Sequence, residues 1–232
     1  MTGGGRREAL ARRLRLYVLT DEGLSRGRPT DQVVAEAIAG GATAIQLRGK
    51  DWGGRRLVEV GRRLRELTRE AGVLFFVNDR LDVALAVGAD GVHLGQDDLP
   101  LAEARRVAGP DFLIGISVED EAQALAAEAG GADYLGVGAV FPTGSKADAG
   151  EPIGVVGLAR IARRVRIPVV AIGGIHAGNA AEVVRAGAAG VAVISAVVAA
   201  PDVRAAARAL LDAVEAAAGT AAPGGRPDSR GA

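Results

Sequence analysis

Short β-branched runs alternate with longer amphipathic ones through most of the chain. Period-two apolar runs read as strands, and runs with apolar residues three and four apart read as helices. On that basis the first strand is Arg15–Leu19, and Thr30–Ala39 is a helix with Thr30 as N-cap, closed by Gly40-Gly41. Ala44–Leu47 is the second strand, followed by an Arg-rich helix over Trp52–Ala71. Val73–Val77 with Leu81–Val87 forms the third unit, Gly91–Leu94 with Pro100–Val107 the fourth, and Phe112–Ile116 with Glu119–Ala129 the fifth. Tyr134–Val137 leads through a long loop to a helix over Val155–Val165. Val169–Ile172 with Ala177–Ala186 is the seventh unit, and Val191–Ile194 precedes an Ala-rich helix ending near Ala216. Residues 1–10 and 217–232 lack periodicity and read as flexible tails around one domain, 11–216.

Strands alternating with helices imply a parallel sheet with right-handed crossovers. Four turns, Gly41-Ala42, Gly88-Ala89, Gly131-Ala132 and Gly187-Ala188, close a helix and open a strand on every second unit. Gly at a helix C-terminus supplies the left-handed cap of such a turn, and this spacing suggests a (β/α)8 TIM barrel with quarter symmetry. An open doubly wound sheet is the alternative, but Leu19-Thr20-Asp21-Glu22 stands where a dinucleotide fold needs glycines.

Composition narrows the chemistry. The chain has 232 residues and is 49% hydrophobic, yet only 3% aromatic, so a core of Val, Ala, Leu and Ile is expected. Zero formal charge gives no support to nucleic-acid or anionic-membrane binding. The absence of cysteine excludes disulfides, thiolate catalysis and zinc–thiolate sites. With no apolar signal core and no membrane-length run, a soluble cytoplasmic protein is expected. Of 28 basic residues only Lys50 and Lys146 are lysine, and Asn occurs only at 78 and 179. A lysine surviving in an Arg-favouring background points to a site that needs a compact, mobile ammonium.

In a barrel, the site lies at the carboxyl ends of the strands. Gln46, Arg48 and Lys50 fall there after strand two, Asn78 and Asp79 after strand three, and Gln96, Asp97 and Asp98 after strand four. Ser117 follows strand five, Phe141–Lys146 strand six, Gly173-Gly174-Ile175 strand seven, and Ile194-Ser195 strand eight. Arg48, Lys50 and Lys146 suit phosphate oxygens, while Asp79 and Asp98 suit Mg2+, which takes one or two carboxylates plus water and substrate phosphate. Gly173-Gly174 with Ser195 suggests a second, glycine-based phosphate grip. Two phosphorylated small-molecule substrates, one a diphosphate, fit these two regions. Taken singly, Asp79 reads equally well as a helix N-cap, and Thr143 and Ser145 as turn residues. His93 reads as a packed, hydrogen-bonded strand residue and His176 as a helix start. General acid–base catalysis therefore has few candidates, and ionisation of a leaving group is favoured.

Gln46-Leu47-Arg48-Gly49-Lys50, Val77-Asn78-Asp79-Arg80, Gly91–Leu99, Phe141–Lys146, Ala171–Ile175 and Val193-Ile194-Ser195 together resemble the thiamine-phosphate synthase family, in order over about residues 15–200. The resemblance implies a TIM barrel joining a hydroxymethylpyrimidine diphosphate to a thiazole phosphate with Mg2+, by a dissociative route. It implies that Gln46, Arg48, Lys50, Asn78, Ser117 and Lys146 hold the pyrimidine diphosphate, with Arg48, Lys50, Ser117 and Lys146 acting in catalysis. Asp79 and Asp98 would hold magnesium, and Thr143, Ser145, Gly174, Ile194 and Ser195 the thiazole phosphate. Gly144 stands where the family's loop usually has Ser, and Ala147 where a second lysine is common. The related thiazole tautomerase uses a histidine where Glu119 stands, so tautomerisation is the alternative activity. A non-catalytic phosphometabolite-binding barrel is the alternative of another class; it would not need both carboxylates. No nucleic-acid or membrane partner is expected, and a homo-oligomer is compatible with the sequence.

Overall fold

A computed structural model describes residues 3–145 and 151–220. Its eight strands are β1 (Leu16–Leu19), β2 (Ala44–Leu47), β3 (Leu74–Asn78), β4 (Gly91–Leu94), β5 (Leu113–Val118), β6 (Tyr134–Val137), β7 (Val169–Ile172) and β8 (Gly190–Val193). Each pairs in parallel with the next, and β1 pairs with β8 to close a barrel. The crossovers carry α2 (Thr30–Ala39), α3 (Gly54–Ala71), α4 (Leu81–Ala86), α5 (Leu101–Ala108), α6 (Glu121–Ala129), α7 (Gly154–Arg164) and α8 (Ala180–Arg185). The chain is a single-domain (β/α)8 TIM barrel.

The repeated turn explains part of the quarter symmetry. Gly41, Gly88, Gly131 and Gly187 all have φ between 65° and 110°, where a side chain would be strained. The next residue donates back into the helix in every case: Ala42 to Ala37, Ala89 to Ala84, Ala132 to Ala127 and Ala188 to Val183. These bonds satisfy carbonyls that the helix end leaves open. In three turns the third residue caps the foot of the preceding strand. Thr43 accepts from the Leu16 amide at 3.0 Å, Asp90 from Phe75 at 2.8 Å and Asp133 from Ile114 at 2.8 Å.

Alternation divides the core into two layers. Leu16, Val18, Ile45, Leu47, Phe75 and Val77 pack outward with the helices. Tyr17, Leu19, Ala44, Leu74, Phe76 and Tyr134 point inward. The aliphatic core expected from composition describes the outer layer. At the centre, Tyr17, Phe76 and Tyr134 meet in pairs with ring centroids 5.3–6.1 Å apart. Glycines opposite make room: a Cβ on Gly115 would lie 2.1 Å from the Tyr134 ring.

Several expectations need correction. The first ten residues do not form a frayed tail as far as they are described, because α1 spans Gly3–Arg13. Leu10 and Leu14, four apart, bury against the inward-facing strand residues and plug the barrel at its N-terminal end. The last helix, α10 (Val203–Thr220), runs past Ala216, and residues 221–232 lie outside the described residues. A short helix, α9 (Ser195–Val198), intervenes after β8. Helix α2 is capped by Pro29, with Thr30 its first residue. Among the described residues no helix is long and apolar enough to cross a membrane.

Candidate active site

The mouth opens at the carboxyl ends of the strands into a cavity of about 770 Å3, a size typical of small-ligand sites. Arg48, Lys50, Asn78, Asp79, Asp98 and Ser117 line one part of its wall. Thr143, Ser145, Gly174, Ile194 and Ser195 line another. Gln46 lies lower, inside β2 and 1% exposed, rather than in the loop after it. Ser117 belongs to β5 itself. Lys146 lies outside the described residues.

The loop after β1, whose sequence speaks only against a dinucleotide fold, holds Arg48. Its Nη1 donates to Asp21 Oδ2 at 3.1 Å, and both side chains are mostly buried. Thr20 Oγ1 accepts from the Arg48 amide at 2.9 Å and donates to its carbonyl at 3.2 Å. The guanidinium is thus anchored at its base while it faces the cavity. Arg48 Nε is buried without a hydrogen-bond partner among the described residues.

Strands β3 and β4 are neighbours, and His93 O accepts from the Asp79 amide at 2.9 Å. Asp79 has φ 61°, a left-handed conformation that is uncommon for any residue but glycine. The N-cap position of α4 falls on Arg80, so Asp79 is not the helix cap. Asp98 Oδ2 accepts from the Gly95 amide at 2.6 Å, which bends the loop after β4 and turns Asp98 to the mouth. No group of three or more His, Asp or Glu side chains suited to a metal occurs among the described residues. Two carboxylates on one cavity fit Mg2+, which commonly completes its shell with water and substrate phosphate.

On the opposite side, Ser145 Oγ donates to Ser195 Oγ at 3.0 Å, joining the loop after β6 to the start of α9. Gly174 has φ 64°, and a Cβ there would lie 2.6 Å from Pro142 O. The glycine is therefore required by the approach of the β6 loop as well as by any ligand. Asn179, the second of the two asparagines, donates to Gly174 O at 3.0 Å and accepts from the His176 amide at 2.8 Å. That clamp went unread in the sequence, although the scarcity of Asn was its signal.

At the floor of the cavity His93 is largely buried, as expected of a packed strand residue. Its Nδ1 lies 2.9 Å from Tyr134 Oη and its Nε2 2.9 Å from Ser117 Oγ. Tyr134 Oη lies 3.0 Å from Tyr17 Oη, which accepts from Gln46 Nε2 at 2.8 Å. Burial pushes both phenols well above their usual pKa, so they stay neutral.

The chain matches the thiamine monophosphate synthase family over residues 16–197. It is 58% identical over 204 residues to a thiamine-phosphate synthase of Moorella thermoacetica, covering 88% of this chain and 97% of that one. Identity to the Chloroflexus aurantiacus thiamine-phosphate synthase is 59% over 196 residues, covering 84% and 90%. Among solved structures, a thiamine phosphate pyrophosphorylase from Pyrococcus furiosus superposes with a TM-score of 0.84 at 52% identity, covering 90% of this chain and 98% of that one. With this likeness running through the barrel and the loops that build its mouth, the chain belongs to the thiamine-phosphate synthase family.

Proposed function

We propose that the mouth cavity carries out the family's reaction by a dissociative displacement, with this chain's own side chains divided between two anion grips. The protein is a thiamine-phosphate synthase: it condenses 4-amino-5-hydroxymethyl-2-methylpyrimidine diphosphate with 4-methyl-5-(2-phosphoethyl)thiazole, giving thiamine phosphate and diphosphate. The observation that carries the reading is that Arg48, Lys50, Asp79 and Asp98 share one cavity with the Ser145–Ser195 pair.

In this reading Arg48, Lys50, Asn78, Ser117 and Lys146 surround the diphosphate. Their charges and donors stabilise the negative charge that grows as the carbon–oxygen bond breaks and its electron pair leaves with diphosphate. Asp79 and Asp98 would hold a magnesium ion, which would supply further charge neutralisation at the phosphate oxygens. Gln46 reads the pyrimidine. Its Nε2 spends one hydrogen on Tyr17, leaving Oε1 and a second hydrogen to match an amino group and an adjacent ring nitrogen. Thr143, Ser145, Gly174, Ile194 and Ser195 hold the thiazole phosphate, so that the thiazole nitrogen faces the pyrimidine methylene and forms the new carbon–nitrogen bond. Both precursors carry phosphate charge, so the reaction is assigned to the cytoplasm.

Incubation of the purified protein with both precursors, with and without Mg2+, tests the reading. Thiamine phosphate should form, and chelation should abolish it. Failure to form it with Mg2+ present would overturn the assignment. Lys146→Ala and Asp79→Ala should each lower turnover by roughly 100-fold or more in a protein that stays folded. Wild-type turnover in either variant would remove that residue from the mechanism.

A further inference from the structure

We propose that Gln46, Tyr17, Tyr134, His93 and Ser117 form one hydrogen-bond chain whose protons all point the same way, from the pyrimidine-reading amide to the leaving-group hydroxyl. It makes Tyr17, Tyr134 and His93 positioning residues for the reaction. The four links span 2.8–3.0 Å and cross the barrel from β2 through β1, β6 and β4 to β5. Gln46, Tyr17 and Tyr134 are at most 1% exposed, so bulk water does not compete for their protons, and His93, 8% exposed, lines the cavity floor.

The direction follows from counting donors. The amide Nε2 of Gln46 only donates, so Tyr17 Oη accepts there. Tyr17 has a single proton, and it goes to Tyr134 Oη. The Tyr134 proton then goes to His93 Nδ1. Neutral His93 therefore carries its own proton on Nε2 and donates it to Ser117 Oγ. Ser117 is left with its hydroxyl proton for the cavity, where it serves as a donor to an anion. The opposite order requires the Gln46 amide to turn over, putting Oε1 against Tyr17, and reverses every link. Ser117 would then spend its proton on His93 and face the diphosphate as an acceptor.

In the free protein the Gln46 Nε2 bond to Tyr17 sets the order, and the other end of the amide is where a substrate would reinforce it. Gln46 Oε1 is buried without a hydrogen-bond partner among the described residues. An exocyclic amino group on the pyrimidine would donate to it and lock the amide in the forward order. Recognition of the base is thereby coupled to the polarity of a hydroxyl on the far side of the barrel. This last step rests on the reading of Gln46 as the pyrimidine contact. The proton order in the free protein does not.

The chain has only two histidines, so nitrogen-15 NMR of histidine-labelled full-length protein reads His93 directly, with His176→Gln assigning the pair. Wild-type His93 should be the single Nε2–H tautomer. Tyr134→Phe removes the donor to Nδ1 and should give a mixture of tautomers. Gln46→Met removes the first donor, three hydrogen bonds from the imidazole, and should also give a mixture; a merely structural role would not produce this. An Nδ1–H or doubly protonated His93 in the wild type would overturn the proposal, as would a tautomer unmoved in folded Gln46→Met. If Gln46→Met does not fold, Tyr17→Phe makes the same test one link on. Kinetically, Tyr134→Phe should lower kcat several-fold and leave KM for the thiazole phosphate unchanged. Wild-type pyrimidine diphosphate affinity in Gln46→Ala, with the Tyr17→Phe effect on His93 intact, would sink the pyrimidine contact and leave the proton order standing.

Discussion

Raising the pH from about 9 to about 11 probes the barrel interior directly, because both tyrosines of the chain are sealed there and free tyrosine ionises near 10. Burial raises both phenols above the ordinary value of 10.0, and for Tyr17 it outweighs the opposing hydrogen bonds from Tyr134 and Gln46. The folded state therefore keeps two protons that the unfolded chain gives up. The stability this represents is fully present below the unfolded pKa and is lost as pH rises from there toward the folded one. By pH ~11 each unfolded tyrosine is about tenfold ionised, a cost of ~1.4 kcal/mol apiece and ~2.8 kcal/mol for the two. For a chain of this size that lowers Tm by roughly 6–11 °C.

Few other groups confuse the measurement. There is no cysteine, and only two of the 28 basic residues are lysine. Thermal melts followed by circular dichroism across the alkaline range give the slope. Tyr17→Phe should cut the alkaline loss to about half, ~1.4 kcal/mol at pH ~11, whatever it does to stability at neutral pH. Tyrosinate absorbance appearing near pH ~10 in protein that is still folded would refute the reasoning, since it would mean that the phenols ionise in place.

Three further perturbations separate the parts of the molecule. Asp21→Ala removes the carboxylate that holds Arg48 and should raise KM for the pyrimidine diphosphate by roughly 10-fold or more, read by steady-state kinetics; an unchanged KM would show that Arg48 needs no such anchor. Gly174→Ala forces a Cβ against Pro142 O at a left-handed φ, which should cost about 1–3 kcal/mol in urea unfolding and weaken the thiazole phosphate more than the pyrimidine diphosphate. Leu14→Ala empties part of the plug beneath the barrel and should cost about 2–5 kcal/mol in the same assay, whereas a dispensable N-terminal tail would make it neutral.

The fold was legible because its signals are local. Each Gly-Ala turn carries its own cap bonds within six residues, and each strand's alternation lies within four to six. The loop residues of the mouth were legible for a related reason: polar clusters follow apolar runs, and barrel topology brings every such cluster to one face. Helix α1 was missed because Gly3-Gly4-Gly5-Arg6-Arg7 has poor intrinsic propensity. Its support comes from Leu10 and Leu14 packing against strands far along the chain.

The interior network was hidden by sequence distance. Tyr17 and Tyr134 are 117 residues apart, and only closure of the barrel makes them hydrogen-bond partners. Yet composition held a trace of it. The scarcity that marked Lys50, Lys146 and Asn78 as residues with a purpose applies equally to tyrosine, which the chain uses twice. Low aromatic content argued for an aliphatic core, which describes both layers apart from Phe75 outside and the three rings on the barrel axis. Along the barrel axis, large rings fit because facing positions are glycine: Gly115 yields to Tyr134, and Gly136 to His93, whose ring carbon would lie 2.9 Å from an added Cβ. Those glycines make space for rings that carry hydroxyl and imidazole protons across the barrel. Interior packing and the orientation of the Ser117 hydroxyl are therefore settled by the same few residues, and a substitution that fills either glycine should disturb both.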